Sequence, residues 1–128
     1  MTDRELRELC RRYFDAIERH DLEAVADCCD PEFTFWVNLS GSELTREQSL
    51  ATLRDGHALL RRRSYDDRRI DTFDGGFLAR YSVTCVPHDG RRFSLQACVV
   101  AQCRKGKITH LDEYLDSSKF RAPRQAEP

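Results

Sequence analysis

Three tight-turn signals in the second half constrain this chain more than any other feature. Asp74-Gly75-Gly76, Asp89-Gly90 and the segment Arg104 to Lys107 supply residues that accept the backbone a hairpin turn needs. Between them lie Phe77 to Val86, Phe93 to Cys103 and Ile108 to Leu115, preceded by a charged, weakly patterned run from Ser64 to Phe73. Four strands joined in succession by short turns predict an antiparallel meander. The charged first strand suits an edge, where polar side chains discourage pairing with other molecules.

The first half reads differently. Thr2 and Glu5 form a capping-box pattern, and Leu6, Leu9, Cys10, Tyr13, Phe14 and Ile17 recur at helical spacing. Asp21 caps a short second helix running to about Cys29, which Asp30-Pro31 ends. Phe33, Phe35, Val37 and Leu39 alternate with Thr34, Trp36 and Asn38 as in a strand, and Ser40-Gly41-Ser42 is a loop. Thr45 with Gln48 repeats the capping box and opens a helix that carries Leu50, Leu53, His57 and Leu60 on one face, weakened midway by Gly56. The order predicts an α+β domain: a curved antiparallel sheet with three helices from the N-terminal half packed on its concave face.

The last strand holds the chemistry. With a two-residue period, Leu111, Glu113 and Leu115 share one face, which places a carboxylate inside an apolar stripe. A buried acid is costly without a partner. Arg80, between apolar and small residues in Leu78, Arg80, Ser82 and Thr84, is the expected partner if both strands face one pocket. The opposite face of that strand, Phe77, Ala79, Tyr81, Val83 and Cys85, is apolar as well. Helices cover only one side of a sheet, so a second copy of the chain is expected on the other, giving a homodimer.

At 128 residues the chain is expected to form one domain, residues 1–120, with a disordered tail over 121–128. Charged residues make up 34% and the net charge is -1, with the arginine runs at 61–63, 68–69 and 91–92 offset by neighbouring acids. That balance argues against nucleic acid, which needs a clustered basic footprint. No leader-like apolar segment or membrane-length run occurs, which predicts a cytoplasmic protein with no membrane partner. The six cysteines form no CxxC, and Cys28-Cys29 are adjacent, so reduced packing cysteines are expected and no metal or cofactor site is predicted.

Arg12-Tyr13-Phe14 with Asp21-Leu22-Glu23, and Gly106-Lys107-Ile108 leading into Asp112-Glu113-Tyr114-Leu115-Asp116, give the chain a family likeness. It resembles the SnoaL-like branch of the nuclear-transport-factor-2-like superfamily, with limonene-epoxide-hydrolase and ketosteroid-isomerase relatives. The resemblance runs from the first helix to Phe120. It implies a cone-shaped α+β barrel, open at one end and commonly dimeric. It does not imply one activity, because the fold hosts isomerases, cyclases, dehydratases, hydrolases and binders.

Carried residue by residue, the resemblance to limonene epoxide hydrolases implies a pocket with Trp36 and Asn38 on the first strand, Arg80 as the arginine and Glu113 as general base. Ser82 stands where that family has its second acid, so the hydrolase set is incomplete. The isomerase match keeps Tyr13 as an oxyanion donor but puts Val37 and Val99 at the carboxylate positions. The paired histidines of scytalone dehydratase are missing too, since one would fall on Ser82.

The resulting expectation is a cofactor-independent acid–base enzyme acting on a small, largely apolar molecule. Epoxide opening or cyclisation, isomerisation and polyketide-type ring closure are the candidate reactions. Glu113, Arg80 and Asn38 would be catalytic. Trp36, Tyr13, Ser82, His57, Leu111, Leu115 and Phe120 would line the substrate site. Each has a bland alternative: a structural ion pair for Glu113 and Arg80, core packing for Trp36, Tyr13 and His57. The alternative for the whole chain is a non-catalytic ligand-binding or accessory module.

Overall fold

The structure, a computed structural model, describes residues 1–120; the expected tail at 121–128 lies outside them. Helix α1 (Asp3–Glu18) starts at the Thr2–Glu5 capping box, and α2 (Leu22–Cys28) at Asp21, whose side chain accepts from Ala24 N–H. Strand β1 (Cys29–Val37) follows directly. A short strand β2 (Glu43–Thr45) then leads into α3 (Arg46–Leu59), opened by the second capping box. The meander comprises β3 (Leu60–Phe73), β4 (Gly76–Pro87), β5 (Phe93–Arg104) and β6 (Lys107–Leu115), after which Ser117–Phe120 forms one 3-10 turn.

The six strands form one sheet in the order β2-β1-β6-β5-β4-β3. The meander is antiparallel as expected, but β1 pairs with β6 in parallel, so the sheet is mixed. The reason is topological: β1 enters from α2 and must lie against the far end of the meander, where β6 offers its free edge. Gly76 permits close strand approach, because a Cβ there would collide with the Ala101 carbonyl oxygen and the Phe73 ring. At the last hairpin, Lys105 and Gly106 both take positive φ, 52° and 79°, as a primed two-residue turn requires.

The helices cover one face of the sheet. Leu9, Phe14 and Ile17 of α1 pack on Phe77, Val99 and Ile108 of the strands, all at most 2% exposed. A bulge between Asp66 and Arg69 in β3, with Asp67 at φ 55°, fixes α1 in place. The extra residues turn Arg68 toward α1, where it pairs with Asp15 at 2.8 Å and Glu18 at 3.1 Å. Glu18 also accepts from the Tyr65 N–H at 2.6 Å, a second tie between α1 and β3. Among the described residues no helix is long and apolar enough to cross a membrane. All six cysteines are free, four of them buried.

His57 docks α3 rather than lining a pocket. Its ring stacks on His20 with centroids 4.0 Å apart and planes 4° apart, and it bonds the Ile17 backbone while Nε2 is buried without a partner. Burial first, then the neighbouring His20 and Arg63, lower its pKa to about 4 from 6.5. The unfolded chain therefore binds this proton more readily, so the contribution of His57 is complete above pH 6.5 and lost as pH falls toward 4. Wild type is expected to lose stability across that window faster than His57→Gln in urea titrations. Parallel curves for the two proteins would contradict this.

Candidate functional site

Between α1, α3 and the inner face of the sheet lies a pocket of about 410 Å³ with a mostly apolar lining. The parity of each strand decides which side chains reach it. Val37, Glu113, Val99 and Ala79 form one cross-strand row on the inner face. Phe35 and Leu111 lie one step toward the start of β6, and Leu115 one step beyond Glu113. Leu39, 42% exposed, and Leu59, 70% exposed, contribute apolar surface where the pocket opens to solvent.

Glu113 is the one carboxylate among the lining residues. Its Oε2 accepts a 2.6 Å hydrogen bond from the Tyr81 hydroxyl, a length typical of bonds to an ionised oxygen. Tyr81 reaches across β5, where its direct partner is the small Ala97. Burial raises the Glu113 pKa above 4.5, against the opposing pull of the Tyr81 bond and the Arg63 charge. Two further phenols, Tyr13 and Tyr65, line the same pocket and sense the Glu113 charge. Burial pushes both their pKa values up, so they stay protonated donors at neutral pH. Among the described residues the Tyr13 hydroxyl has no hydrogen-bond partner.

The expected Arg80–Glu113 pair does not form. Arg80 aligns with Cys98 and Tyr114, one residue out of step with Glu113, and is exposed on the outer face. Ser82 shares that face and accepts from Gln96 Nε2 at 2.9 Å. Trp36 aligns with Asp112, also outside, and packs edge-on against Tyr114 with ring centroids 5.3 Å apart. The exposed Asn38 extends the β1–β6 pairing with its side chain, exchanging 3.0 Å bonds with the Leu115 backbone in both directions. The set carried over from the epoxide hydrolases therefore does not gather around Glu113. Tyr13, Leu111 and Leu115 do line the pocket. Phe120 carries a side chain outside what the structure describes.

The cation of this pocket is Arg63, on the inner face of β3 opposite Cys85. Sequence reasoning missed it because it closes the run Arg61-Arg62-Arg63, which reads as solvated charge. The signal was its two-residue offset from Tyr65, which makes both point inward once β3 begins at Leu60. Tyr81 was visible too, in the apolar alternation of β4. On the outer face, His110 accepts or donates with Thr34 Oγ1 at 2.6 Å and with Asp112 at 2.8 Å, away from the pocket.

Residues 10–111 match the family model described as SnoaL-like domain. Among solved structures, the chain is similar to a proposed polyketide cyclase from Xanthomonas campestris pv. campestris, at 20% identity over 92% of this chain and 95% of that one, with a TM-score of 0.83. It is similar to AclR, a proposed hydroxylase from Streptomyces galilaeus, at 15% identity over 93% and 94% of the two chains, with a TM-score of 0.82. A nuclear-transport-factor-2-like protein of unknown function from Burkholderia pseudomallei K96243 matches at 14% identity over 94% and 95%, with a TM-score of 0.81. Identities this low establish the fold alone. A comparison with curated proteins returned no match.

Proposed function

The chain belongs to the SnoaL-like domain family, within the nuclear-transport-factor-2-like superfamily, and from that premise we propose that its pocket binds a small, largely apolar molecule and moves a proton on it without a cofactor. The observation that carries this reading is the single Glu113 carboxyl in an apolar cavity, held by Tyr81 at 2.6 Å. Glu113 takes a proton from carbon next to a carbonyl. Tyr81 fixes the carboxyl, and the free Tyr13 hydroxyl donates to the oxyanion that develops on the carbonyl oxygen. Return of the proton to another carbon gives isomerisation; attack of the carbanion on a second carbonyl, with Glu113 passing its proton to the oxygen of that carbonyl, gives ring closure. Epoxide opening has less support, because no second acid stands among the described lining residues.

Deuterium uptake by cyclic enones and polyketide-like diketones in heavy water, read by mass spectrometry, tests the reading. Wild type is expected to exchange protons at the carbon beside the carbonyl, and Glu113→Gln is not. Equal exchange by both proteins sinks the proposal. A binding module is the second reading, favoured by the lack of a second carboxylate or a histidine among the lining residues. It predicts ligand-induced stabilisation with no exchange.

The assembly proposed with this function is a homodimer through the outer sheet face. Trp36, Leu78, Val100 and the 45% exposed Tyr114 leave apolar area there. Sedimentation at micromolar concentration is expected to give twice the chain mass of 14.9 kDa. A monomer mass would refute it.

A further inference from the structure

Arg63 is a half-buried guanidinium that lines the apolar pocket without an ion-pair partner. Its charge acts on the neighbouring Tyr65 phenol and Cys85 thiol, both neutral, and among the described residues no carboxylate lies within ion-pair distance of it. Glu113 feels its charge only from farther away. A guanidinium carries five N–H donors in a planar fork, more than these two neutral groups can accept.

The helix opposite leaves room for this cation. Gly56 stands in the last turn of α3, and a Cβ there would lie 2.6 Å from Arg63 Nη2. The missing side chain is the space that the guanidinium occupies. Gly56, Arg63, Tyr65 and Cys85 all line the pocket that holds Glu113. Its apolar remainder, Leu53, Leu60, Phe93 and Leu95 among others, accepts a hydrocarbon or aromatic body.

We infer that Arg63 is the anchor for an anionic oxygen pair, so that the natural ligand is an apolar molecule bearing one carboxylate, docked on the guanidinium fork with its body toward Glu113. The inference rests on the reading of this pocket as the ligand site, but not on any reaction there. A carboxylate matches the fork with two parallel hydrogen bonds, which a neutral carbonyl does not.

Titration calorimetry at neutral pH with naphthalene-2-carboxylate, its carboxamide and naphthalen-2-ylmethylamine tests this. The acid is expected to bind the wild type at least about tenfold tighter than the isosteric amide, and the amine least well. Arg63→Met is expected to erase the preference for the acid, and Arg63→Lys to keep part of it. Gly56→Ala leaves Arg63 in the sequence, favours the helix and pushes the guanidinium aside, so it should weaken the acid without weakening the amide. Failure of the acid to bind, equal affinity for acid and amide, or a preference that survives in Arg63→Met would each overturn the inference. None of these probes reacts, so their outcome is independent of the deuterium exchange that tests Glu113.

Discussion

Glu113→Gln is expected to lower turnover on a carbon acid by about 10²–10⁴-fold while leaving a folded protein that is more stable than wild type near neutral pH. The amide keeps the shape of the carboxyl and still accepts the Tyr81 hydrogen bond through its carbonyl oxygen, but it has no basic oxygen to take a proton. The stability gain follows from linkage. Burial holds the Glu113 pKa above the ordinary 4.5, so the native state binds the proton more tightly than the unfolded chain does. The contribution of Glu113 is intact below pH 4.5 and lost as pH rises through its folded value. Glutamine has nothing to ionise. The difference in melting temperature between variant and wild type should therefore be smallest in acid and grow toward neutral pH. A constant difference would mean that the carboxyl is not held in the pocket.

Phe14→Ala is expected to cost about 3–5 kcal/mol, a large share of the stability of a small domain. Phe14 is 1% exposed and sits where the elements meet, with ring centroids 5.3 Å from Tyr13, 4.8 Å from Tyr65 and 5.0 Å from Tyr81. The Arg68 guanidinium lies 5.7 Å from its centroid, so the same ring supports the ion pairs that hold α1 to the β3 bulge. The loss would open a cavity directly behind Tyr81. Activity should therefore fall by more than the folded fraction does, because the group that holds Glu113 gains freedom. Urea unfolding gives the first number and kinetics on the folded fraction the second. A cost below about 1 kcal/mol would show that the aromatic cluster repacks around the gap.

Local chemistry made most of the fold legible. The two capping boxes at Thr2 and Thr45, the Asp21 cap and the glycine turns at Gly75, Gly90 and Gly106 each encode their own element within a few residues. The parallel β1–β6 pairing was not legible, because it joins segments far apart in the chain and no local signal marks it. At the site, strand alternation identified the inward side chains where it was followed. Phe33, Phe35 and Val37 point in while Trp36 and Asn38 point out, and Tyr81 points in while Arg80 points out. Transferring residues from the epoxide hydrolases reversed both strands, since a spacing shared with a family carries no information about parity. The charge that acts on Glu113 comes from Arg63 on β3, and the expected Arg80 of β4 lies on the opposite face. The β3 bulge added a second obstacle, since it puts Tyr65 and Ile70, five positions apart, on the same inner face.

The sheet order has a consequence for how the chain reaches this state. β6, the last of these six strands in chain order, lies in the interior of the sheet between β1 and β5. Until it emerges from the ribosome, β1 and β5 each present an unpaired edge, and the pocket has neither its floor nor Glu113. The nascent chain thus cannot bind ligand before β6 is out, and until then β1 and β5 keep their edges exposed. A chain cut short within β6 would lose the join between its two halves together with the acid, so ligand binding and the final folding step are gated by the same nine residues.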